Sequence, residues 1–474
     1  MKVNKSKGLA LTLLAVSQLI LALDYTIVFV GLPSIAEGLG FSANSLQWVV
    51  SAFSLVYGGL LLIGGRLSDL VGRRKMFIIA TALFGLGSLL GGLANSDTML
   101  IIARGIQGLG GALLSPATLS LIMSNFEEGK ERNRAMAVWS AMGGVGLSLG
   151  LLLGGVLTNY LGWEAIFLVN VPIAVLVLIL APFALQESKV TLTTRHYDVS
   201  GTISVTAGMI LVVYYLIQSP VQGWTNQSTI IPGIIGFCLL VLFVIIEKRS
   251  SNPLIPSSLI RKRTLVSATI SAALFAASFG TLYYFLTLYT QQVMHFSAVQ
   301  SGVSFLPLTL SVLLGSKFIN KMINSIGIPG TMGTGMGLGA LGFIILTQLT
   351  VHGSIWAMII GTIVVGFGQS FVFTTMYIAA SLGIEMKEQG VASAIINTGQ
   401  QIGSAVGLAV VMAIVSAVFN TSGSLEEMGS VLLTDAVNLA LIMEAVIALM
   451  GLLVAFTLRQ RKASSTVTYK SLDK

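Results

Sequence analysis

The feature that most constrains this chain is a series of long apolar segments, each of about 20 residues, separated by short polar stretches. Hydrophobic residues make up 54% of the 474 residues and charged residues only 9%, far from the composition of a water-soluble domain. In lipid, backbone polar groups must pair within one segment, and these segments lack the apolar–polar alternation of β-barrel strands. The sequence therefore predicts an all-α integral membrane protein.

Fourteen transmembrane helices are predicted, in groups of six, two and six. We expect an N-terminal six-helix bundle over residues 1–190, a two-helix insertion over 191–255, and a C-terminal six-helix bundle with a tail over 256–474. The predicted helices lie near residues 8–30, 46–66, 76–94, 98–123, 134–157, 163–185, 199–218, 229–247, 264–290, 298–319, 329–349, 354–381, 391–419 and 434–458. The short loops between them leave no folded extramembrane domain.

The basic residues indicate the orientation of these helices. Of the 26 Lys and Arg residues, all except Arg104 fall on one side of the predicted topology. Cytoplasmic loops are enriched in Lys and Arg, so this side, with both termini, is assigned to the cytoplasm. The charges are scattered over short loops instead of forming one patch, so the net charge of +8 indicates orientation and predicts no nucleic-acid partner.

No enzymatic site is recognisable in the sequence. A G-x-x-x-x-G-K-[ST] phosphate-binding loop is missing, so any pumping would have to use an ion gradient. The three histidines fall in predicted loops, and no His, Cys or carboxylate cluster has metal-ligand spacing. The single cysteine, Cys238, can form no intrachain disulfide. We therefore expect no catalysis, no metal and no cofactor.

The turn between the second and third helices carries the ordered motif GGRLSDLVGRRK (residues 64–75). Its glycines permit close helix approach and a tight turn, and its acid lies near the basic run. The pattern resembles the signature of the major facilitator superfamily, in which this turn is a cytoplasmic latch between two helical halves. The resemblance implies that role for Gly65, Asp69, Gly72, Arg73 and Arg74. A fainter echo, NKMINSIG (residues 320–327), fits a parallel repeat of two halves.

Further stretches are similar to the fourteen-helix drug:proton antiporters of that superfamily. They are LDYTIVFVGLP (residues 23–33), RGIQGLGGA from Arg104 and INTGQQIGSAVG (residues 396–407). The resemblance implies a multidrug efflux transporter that exchanges protons for small lipophilic or cationic compounds by alternating access. It also implies a monomer surrounded by lipids in the bacterial plasma membrane. The alternatives are export of a lipid, peptide or metabolite by the same fold, proton symport, and, from another class, an ion channel or a sensor that does not transport.

The fifth predicted helix both fits and departs from that group. Its sequence GVGLSLGLLLGG presents a face of small residues that allows close helix packing, formed by Gly146, Gly150, Gly154 and Gly155. The antiporters usually place a proline after the glycine that is Gly150 here, whereas this chain has Leu151. The kink that a proline would impose is therefore missing, which keeps symport open.

Two charged residues lie inside predicted helices, Asp24 in the first and Arg104 in the fourth. An ionised Asp near the centre of a membrane helix costs about 2.5–3.5 kcal/mol, so it usually faces a cavity or a partner. Both residues lie about 9 Å from the outer ends of their predicted helices, at about 1.5 Å per residue. A change in their separation or hydration would change which form of the carboxyl group is favoured, and so would load or release a proton. A static ion pair that locks two helices is the alternative.

Weaker candidates complete the predicted site. Glu444 in the last helix is either a second ion or cation site or a structural partner for a polar neighbour. The superfamily architecture surrounds the central cavity with helices one, four, nine and twelve. The polar or aromatic residues there are Tyr25, Gln107, Tyr283, Tyr284, Thr287, Gln369 and Tyr377. An aromatic lining suits flat lipophilic cations, although ordinary helix packing is the alternative for each residue.

Overall fold

The structure, a computed structural model, describes residues 3–41, 46, 48–187, 199–250, 255–353, 355–385, 388–419 and 429–457. These ranges are helical nearly throughout and contain no β-strand, as the sequence predicts. The predicted domain boundary at residue 190 and the C-terminal tail lie outside the described residues. The helices are α1 Val3–Leu39, α2 Trp48–Val71, α3 Arg73–Gly92, α4 Asp97–Asn125, α5 Lys130–Leu161, α6 Ala165–Leu168, α7 Asn170–Ala184, α8 Val199–Gln222, α9 Gln227–Arg249, α10 Ser257–Ile260, α11 Arg263–Leu288, α12 Ala298–Ser304, α13 Leu306–Leu346, α14 Ile355–Ser381, α15 Gln389–Phe419 and α16 Ser430–Ala455.

Within the described ranges, 12 helical stretches are long and apolar enough to cross a membrane, judged by length and composition. One of them, Val299–Leu346, includes the whole of α13. In addition, α8 contains a shorter apolar stretch, Ile203–Leu216. Large apolar side chains such as Phe183 and Leu453 are 81% and 69% exposed on the outside of the bundle, which is the surface expected of a protein solvated by lipid.

The 41-residue helix α13 turns back on itself at Gly327, where φ is 73° and ψ is 177°. A Cβ atom at Gly366 of α14 would lie 2.5 Å from the carbonyl oxygen of Leu308, and one at Gly335 would lie 2.8 Å from that of Gly368. Gly366 and Gly368 are two residues apart on α14, so residues 308 and 335, which contact them, lie at nearly the same height along α14. In a straight helix residues 308 and 335 would be about 40 Å apart. The two arms of α13 therefore form an antiparallel hairpin, and the predicted loop near residues 320–328 shrinks to a break at one glycine.

The helices form two halves joined along two interfaces. In the first half α1 packs on α5, and α4 packs on α2 and α3. In the second half α13 packs on α14, and α11 packs on α15 and α16. The halves meet where α2 contacts α15 and where α5 contacts α12, α13 and α14. The pair α8–α9 leans on α2 and α15, with an apolar cluster around Val205, Met209, Val213 and Phe243.

The end of the first helix differs most from the sequence-based expectation. The first helix is predicted to end near residue 30, but α1 continues to Leu39 and stops before Gly40, where φ is 66°. The apolar stretch of α1 ends at Leu32, so the additional turns extend the helix beyond its membrane-compatible part. Hydropathy alone marks the apolar stretch and not the helix that continues past it.

Candidate functional site

The ion pair between Asp24 and Arg104 is the centre of the site. Asp24 lies on α1 and Arg104 on α4, and Nη1 of Arg104 is 2.6 Å from Oδ2 of Asp24. Both side chains are at most 1% exposed. The structure thus brings together the two charged residues that the sequence predicts inside helices. A charge pair buried to this degree is costly unless further hydrogen bonds satisfy it.

Two side-chain amides supply those hydrogen bonds. Nε2 of Gln107 donates to Oδ1 of Asp24 at 3.0 Å, and Nδ2 of Asn170 donates to the same oxygen at 3.2 Å. Oε1 of Gln107 accepts from Nη1 of Arg104 at 2.9 Å, and Nε2 of Gln107 also lies 2.8 Å from Oγ of Ser88. The network joins α1, α3, α4 and α7, so Gln107 belongs to the surroundings of the ion pair.

Two members of this network, Asn170 and Ser88, are not among the residues predicted from sequence. Asn170 interrupts the apolar run FLVNVPIAV, and a buried amide in a membrane helix needs a partner, so it carried a usable signal. Ser88 carried none. Its hydroxyl donates to the carbonyl of Phe84 at 2.9 Å, an arrangement that any helical serine can adopt.

Arg104 is held from further sides by α2 and by aromatic rings. Nε of Arg104 donates to the carbonyl oxygen of Val49 at 2.8 Å. Its guanidinium carbon lies 4.5 Å from the centroid of the Phe53 ring and 6.0 Å from that of Phe167. Cation–π contacts of a desolvated guanidinium are worth about 2 kcal/mol. The position of the cation is therefore fixed by contacts that do not involve Asp24.

The predicted glycine face of α5 packs on α1 beside Asp24. A Cβ atom added at Gly146 would lie 2.6 Å from the carbonyl oxygen of Leu19. One added at Gly154 would lie 2.7 Å from the carbonyl oxygen of Ile27. At Gly150 it would meet Oγ1 of Thr26, whose hydroxyl donates to the carbonyl of Leu147 at 2.7 Å. Gly155 is buried in the same stretch. The backbones of α1 and α5 therefore touch directly, at the turn that carries the carboxylate.

Helix α5 continues without interruption through Leu151, which is 4% exposed. No proline kink is present at this position, as expected from the residue itself. The close approach to α1 needs the glycines only, because the residue after Gly150 points to another face of the helix.

The predicted latch residues lie where α2 meets α15. A Cβ atom at Gly65 would meet the carbonyl oxygen of Gly390, and one at Gly390 would lie 2.6 Å from Oδ2 of Asp69. Arg73 is buried, and its Nη2 lies 3.5 Å from Oδ1 of Asp69. Gly72 joins α2 to α3 with φ at 107°, a conformation that favours glycine.

Arg74 ties the same turn to the end of α7. Its backbone N–H donates to Oε1 of Glu187 at 3.3 Å, and its Nε lies 3.7 Å from Oε2 of that residue. The guanidinium also donates to the carbonyl oxygens of Leu185 and Pro182, each at 3.4 Å. The turn is thus fixed within the first half by Arg74 and contacts the second half through Gly65 and Asp69.

An aromatic cluster lies between the halves, where α5 contacts α14. We define it as Trp139 on α5 with Phe373 and Tyr377 on α14; the ring centroids of Trp139 and Tyr377 are 5.0 Å apart. The hydroxyl of Tyr377 donates to Oδ1 of Asn397 at 2.6 Å and also contacts Gln400. Nδ2 of Asn397 donates to Oγ of Ser115 on α4 at 3.0 Å, so a hydrogen bond crosses from one half to the other.

The other predicted cavity residues lie on α1, α11 and α14. The hydroxyl of Tyr283 and the amide of Gln369 hydrogen-bond at 3.2–3.3 Å, and the Tyr283 ring stacks on Phe305. Tyr284 points elsewhere and is 36% exposed. The remaining two residues are half-buried: Tyr25, edge-on to Phe29, and Thr287, whose hydroxyl is buried without a partner among the described residues.

Glu444 is fully buried on α16. Oγ1 of Thr281 lies 2.8 Å from its Oε1, and its Oε2 is buried without a hydrogen-bond partner among the described residues. No cation of the described ranges pairs with it. Within the same ranges, no group of three His, Cys, Asp or Glu side chains could hold a metal ion.

Comparisons with known proteins agree with this architecture. Residues 14–408 match the family model described as Major Facilitator Superfamily. The cephamycin export protein CmcT of Amycolatopsis lactamdurans is 35% identical over 450 residues, covering 94% of this chain and 92% of that protein. The puromycin resistance protein pur8 of Streptomyces alboniger is 35% identical over 399 residues, covering 83% of this chain and 79% of that protein.

A solved structure shares the fold. The crystal structure of the human organic anion transporter MFSD10 (TETRAN) superposes with a TM-score of 0.62 at 16% sequence identity, covering 95% of this chain and 97% of that one. At this identity the likeness concerns the fold alone. Together with the family match and the relatives, it shows that this chain belongs to the Major Facilitator Superfamily.

Proposed function

We propose that this protein is a proton-coupled exporter of small lipophilic or cationic compounds, in which Asp24 binds the coupling proton. The observation that carries the proposal is the buried ion pair of Asp24 and Arg104 with its two amide donors. Buried charged residues in a membrane protein mark ion and substrate pathways by default. The relatives named for antibiotic resistance and export support efflux as the direction of transport.

The coupling step follows from how the two partners are held. Arg104 is fixed by Val49 and two aromatic rings, whereas Asp24 lies on α1, which rests on a smooth glycine face of α5. A displacement of α1 along that face lengthens the ion pair and removes donors from the carboxylate. The neutral acid then becomes the favoured form, and the carboxyl group takes up a proton. Return of α1 to the contact seen here releases that proton.

The substrate site is proposed at the aromatic cluster. Its rings can stack on a flat molecule, and the polar groups of Asn397, Gln400 and Ser115 can hydrogen-bond to it. In this structure those groups bond one another across the two halves. A substrate that replaces these contacts therefore separates the halves locally, which is how binding would be communicated to the rest of the bundle.

The available energy suffices for export. One charge crossing a membrane potential of about 100 mV yields about 2.3 kcal/mol. Since about 1.4 kcal/mol corresponds to a tenfold concentration ratio, one proton sustains roughly a fortyfold gradient of a neutral substrate. A pH gradient adds to this value.

We further propose fourteen membrane crossings with both termini in the cytoplasm, as in the fourteen-helix drug:proton antiporters. The count of 12 candidate spans treats the hairpin α13 as one and leaves out the shorter apolar stretch of α8. Counting two crossings for α13 and one for α8 gives fourteen. The packing of α8–α9 on both halves supports a two-helix insertion between six-helix bundles, in a protein that works as a lipid-surrounded monomer.

Cysteine accessibility tests this topology. In a Cys238→Ser background, single cysteines replace Gly223, between α8 and α9, and Ser325, near the turn of α13. A membrane-impermeant maleimide should label position 223 in intact cells and position 325 only in inverted vesicles. Labelling of both from one side contradicts fourteen crossings.

Proton release from inverted vesicles tests the function. Vesicles containing the protein are energised to an acidic interior, and release of luminal protons is recorded on addition of an ethidium-like cation. We expect release with the wild type and none with Asp24→Asn. The matched control is Asp97→Asn, which removes a carboxylate from the first turn of α4; of the residues that the structure describes, this carboxylate bonds only Thr98.

The possible outcomes separate the alternatives. Release by Asp24→Asn equal to the wild type would exclude Asp24 as the proton site. No release by the wild type, with labelled cation still exchanged in counterflow, would indicate uncoupled transport. Proton uptake into the lumen together with the substrate would indicate symport.

A further inference from the structure

A cavity of about 700 Å³ opens between the two halves, where α5 begins. Its lining, here called the basic cavity, consists of Lys130, Arg134, Lys317, Asn320, Lys321, Asn324 and Ser325. Lys130 precedes Gly150, which packs beside Asp24, by about 30 Å of helix. The basic cavity is therefore separate from the coupling site.

Both halves contribute cations to the basic cavity. Lys130 and Arg134 lie one helical turn apart on α5, and Lys317 and Lys321 lie one turn apart on the first arm of α13. Residues with this spacing share a helix face, so two pairs of like charges face one space. Among the described residues that line the cavity, none is acidic.

Nearby acids do not neutralise these cations. Glu131 pairs with Lys7 at 2.8 Å, and Glu128 lies 3.8 Å from Arg132. Among the described residues, no ion pair or hydrogen bond involves any of the four cavity cations. Like charges held together without a counter-ion oppose the contact between the halves, so this arrangement favours an anion between them.

Polar and apolar groups around the cavity indicate what kind of anion fits. Oδ1 of Asn320 is buried without a partner among the described residues and can accept a hydrogen bond from a hydroxyl group. On the same arm of α13, within three residues of cavity-lining positions, Leu314, Phe318 and Ile326 are 46–49% exposed. A ligand with a phosphate, a hydroxyl-bearing headgroup and acyl chains matches all three surfaces.

We propose that the basic cavity binds a phosphate-bearing anion, namely the headgroup of an anionic glycerophospholipid. Basic pockets between membrane helices suit such headgroups, and Lys and Arg form charge-assisted hydrogen bonds to phosphate oxygens. The anion bridges α5 of one half and α13 of the other. It therefore binds most tightly when these helices are as close as they are here, and it stabilises this arrangement of the halves over one in which they separate.

A lipid titration tests the proposal without measuring transport. Full-length protein is placed in nanodiscs of phosphatidylcholine with increasing phosphatidylglycerol at constant ionic strength, and its unfolding temperature is recorded. The double variant Lys317→Gln/Lys321→Gln should need about tenfold to thirtyfold more phosphatidylglycerol than the wild type for half of the stabilisation. Lys317→Arg/Lys321→Arg should behave as the wild type.

A matched control and a second ligand complete the experiment. Lys248→Gln/Arg249→Gln removes the same charge from the exposed end of α9 and should leave the titration unchanged. Inorganic phosphate is titrated into nanodiscs of phosphatidylcholine alone. If phosphate stabilises the wild type but not the Lys317→Gln/Lys321→Gln variant, the basic cavity binds a soluble phosphate-bearing ligand. Equal titrations for all variants, or no stabilisation of the wild type by either ligand, would overturn the proposal, whatever the result for proton release.

Discussion

Gly150→Ala is predicted to destabilise the contact between α1 and α5. The added Cβ atom would meet Oγ1 of Thr26 and lie 2.5 Å from the carbonyl oxygen of Leu23. Thr26 can rotate, but Leu23 presents backbone. Because ordinary contacts begin near 3.4 Å, the two helices must separate by about 1 Å.

The expected change in the free energy of unfolding is the sum of three effects. Overpacking costs about 1–3 kcal/mol, and loss of the hydrogen bond from Thr26 to Leu147 costs about 0.5–1.5 kcal/mol. Replacing a helical glycine by alanine stabilises the helix by about 1 kcal/mol. The net loss is about 0.5–3.5 kcal/mol. Since Asp24 directly follows Leu23, the same displacement acts on the ion pair with Arg104, and transport should fall as well.

Gly337→Ala is the matched control, because a Cβ atom at this helical position of α13 has nothing within 4 Å. It should keep or raise the unfolding temperature through helix propensity alone. Both variants are purified in the same detergent, and their unfolding temperatures and substrate-driven proton release are compared with those of the wild type. If Gly150→Ala is as stable and as active as Gly337→Ala, the close contact between α1 and α5 is not what this structure describes.

Three further predictions concern the other sites. Asn170→Ala removes a donor to the Asp24 carboxylate and should lower stability by about 1.5–3 kcal/mol, visible in the unfolding temperature; Asn170→Gln should recover part of the loss. Gly65→Val places a side chain against the Gly390 backbone and should reduce transport more than tenfold in a folded protein, whereas Gly105→Val, whose Cβ atom meets only Val56 at 3.9 Å, should not. Glu444→Gln keeps the contact with Thr281 and should lower the number of protons released per substrate; an unchanged ratio would assign Glu444 a purely structural role.

The all-helical fold and the pairing of Asp24 with Arg104 could be predicted because each depends on a rule that needs no tertiary information. Hydropathy marks membrane helices, and an ionised side chain inside such a helix must find a partner. The contribution of Asn170 was accessible by the same reasoning, since an amide in an apolar helix also needs a partner. Ser88 was not accessible, because a helical serine bonds its own backbone whether or not it faces a site.

Local geometry accounts for what the sequence left undetermined. Tyr283 and Tyr284 look equivalent in sequence, but neighbouring helical residues point in different directions, so only Tyr283 reaches Gln369. The hairpin in α13 depends on one glycine with a positive φ, and a hydropathy profile cannot distinguish such a break from a short loop. The basic cavity exists only after folding, because α5 and α13 are far apart in the chain.

Helix α5 is the element through which these sites can influence one another. Near its middle Gly150 touches α1 beside Asp24, while Trp139 stacks in the aromatic cluster and Ser140 contacts Thr374 of the other half. Its first residue, Lys130, lines the basic cavity. Because a helix shifts as a rigid unit, protonation that moves α1 relative to α5 changes the fit at the aromatic cluster as well. An anion bridging the basic cavity holds α5 against α13 and therefore opposes that change from the N-terminal end of α5.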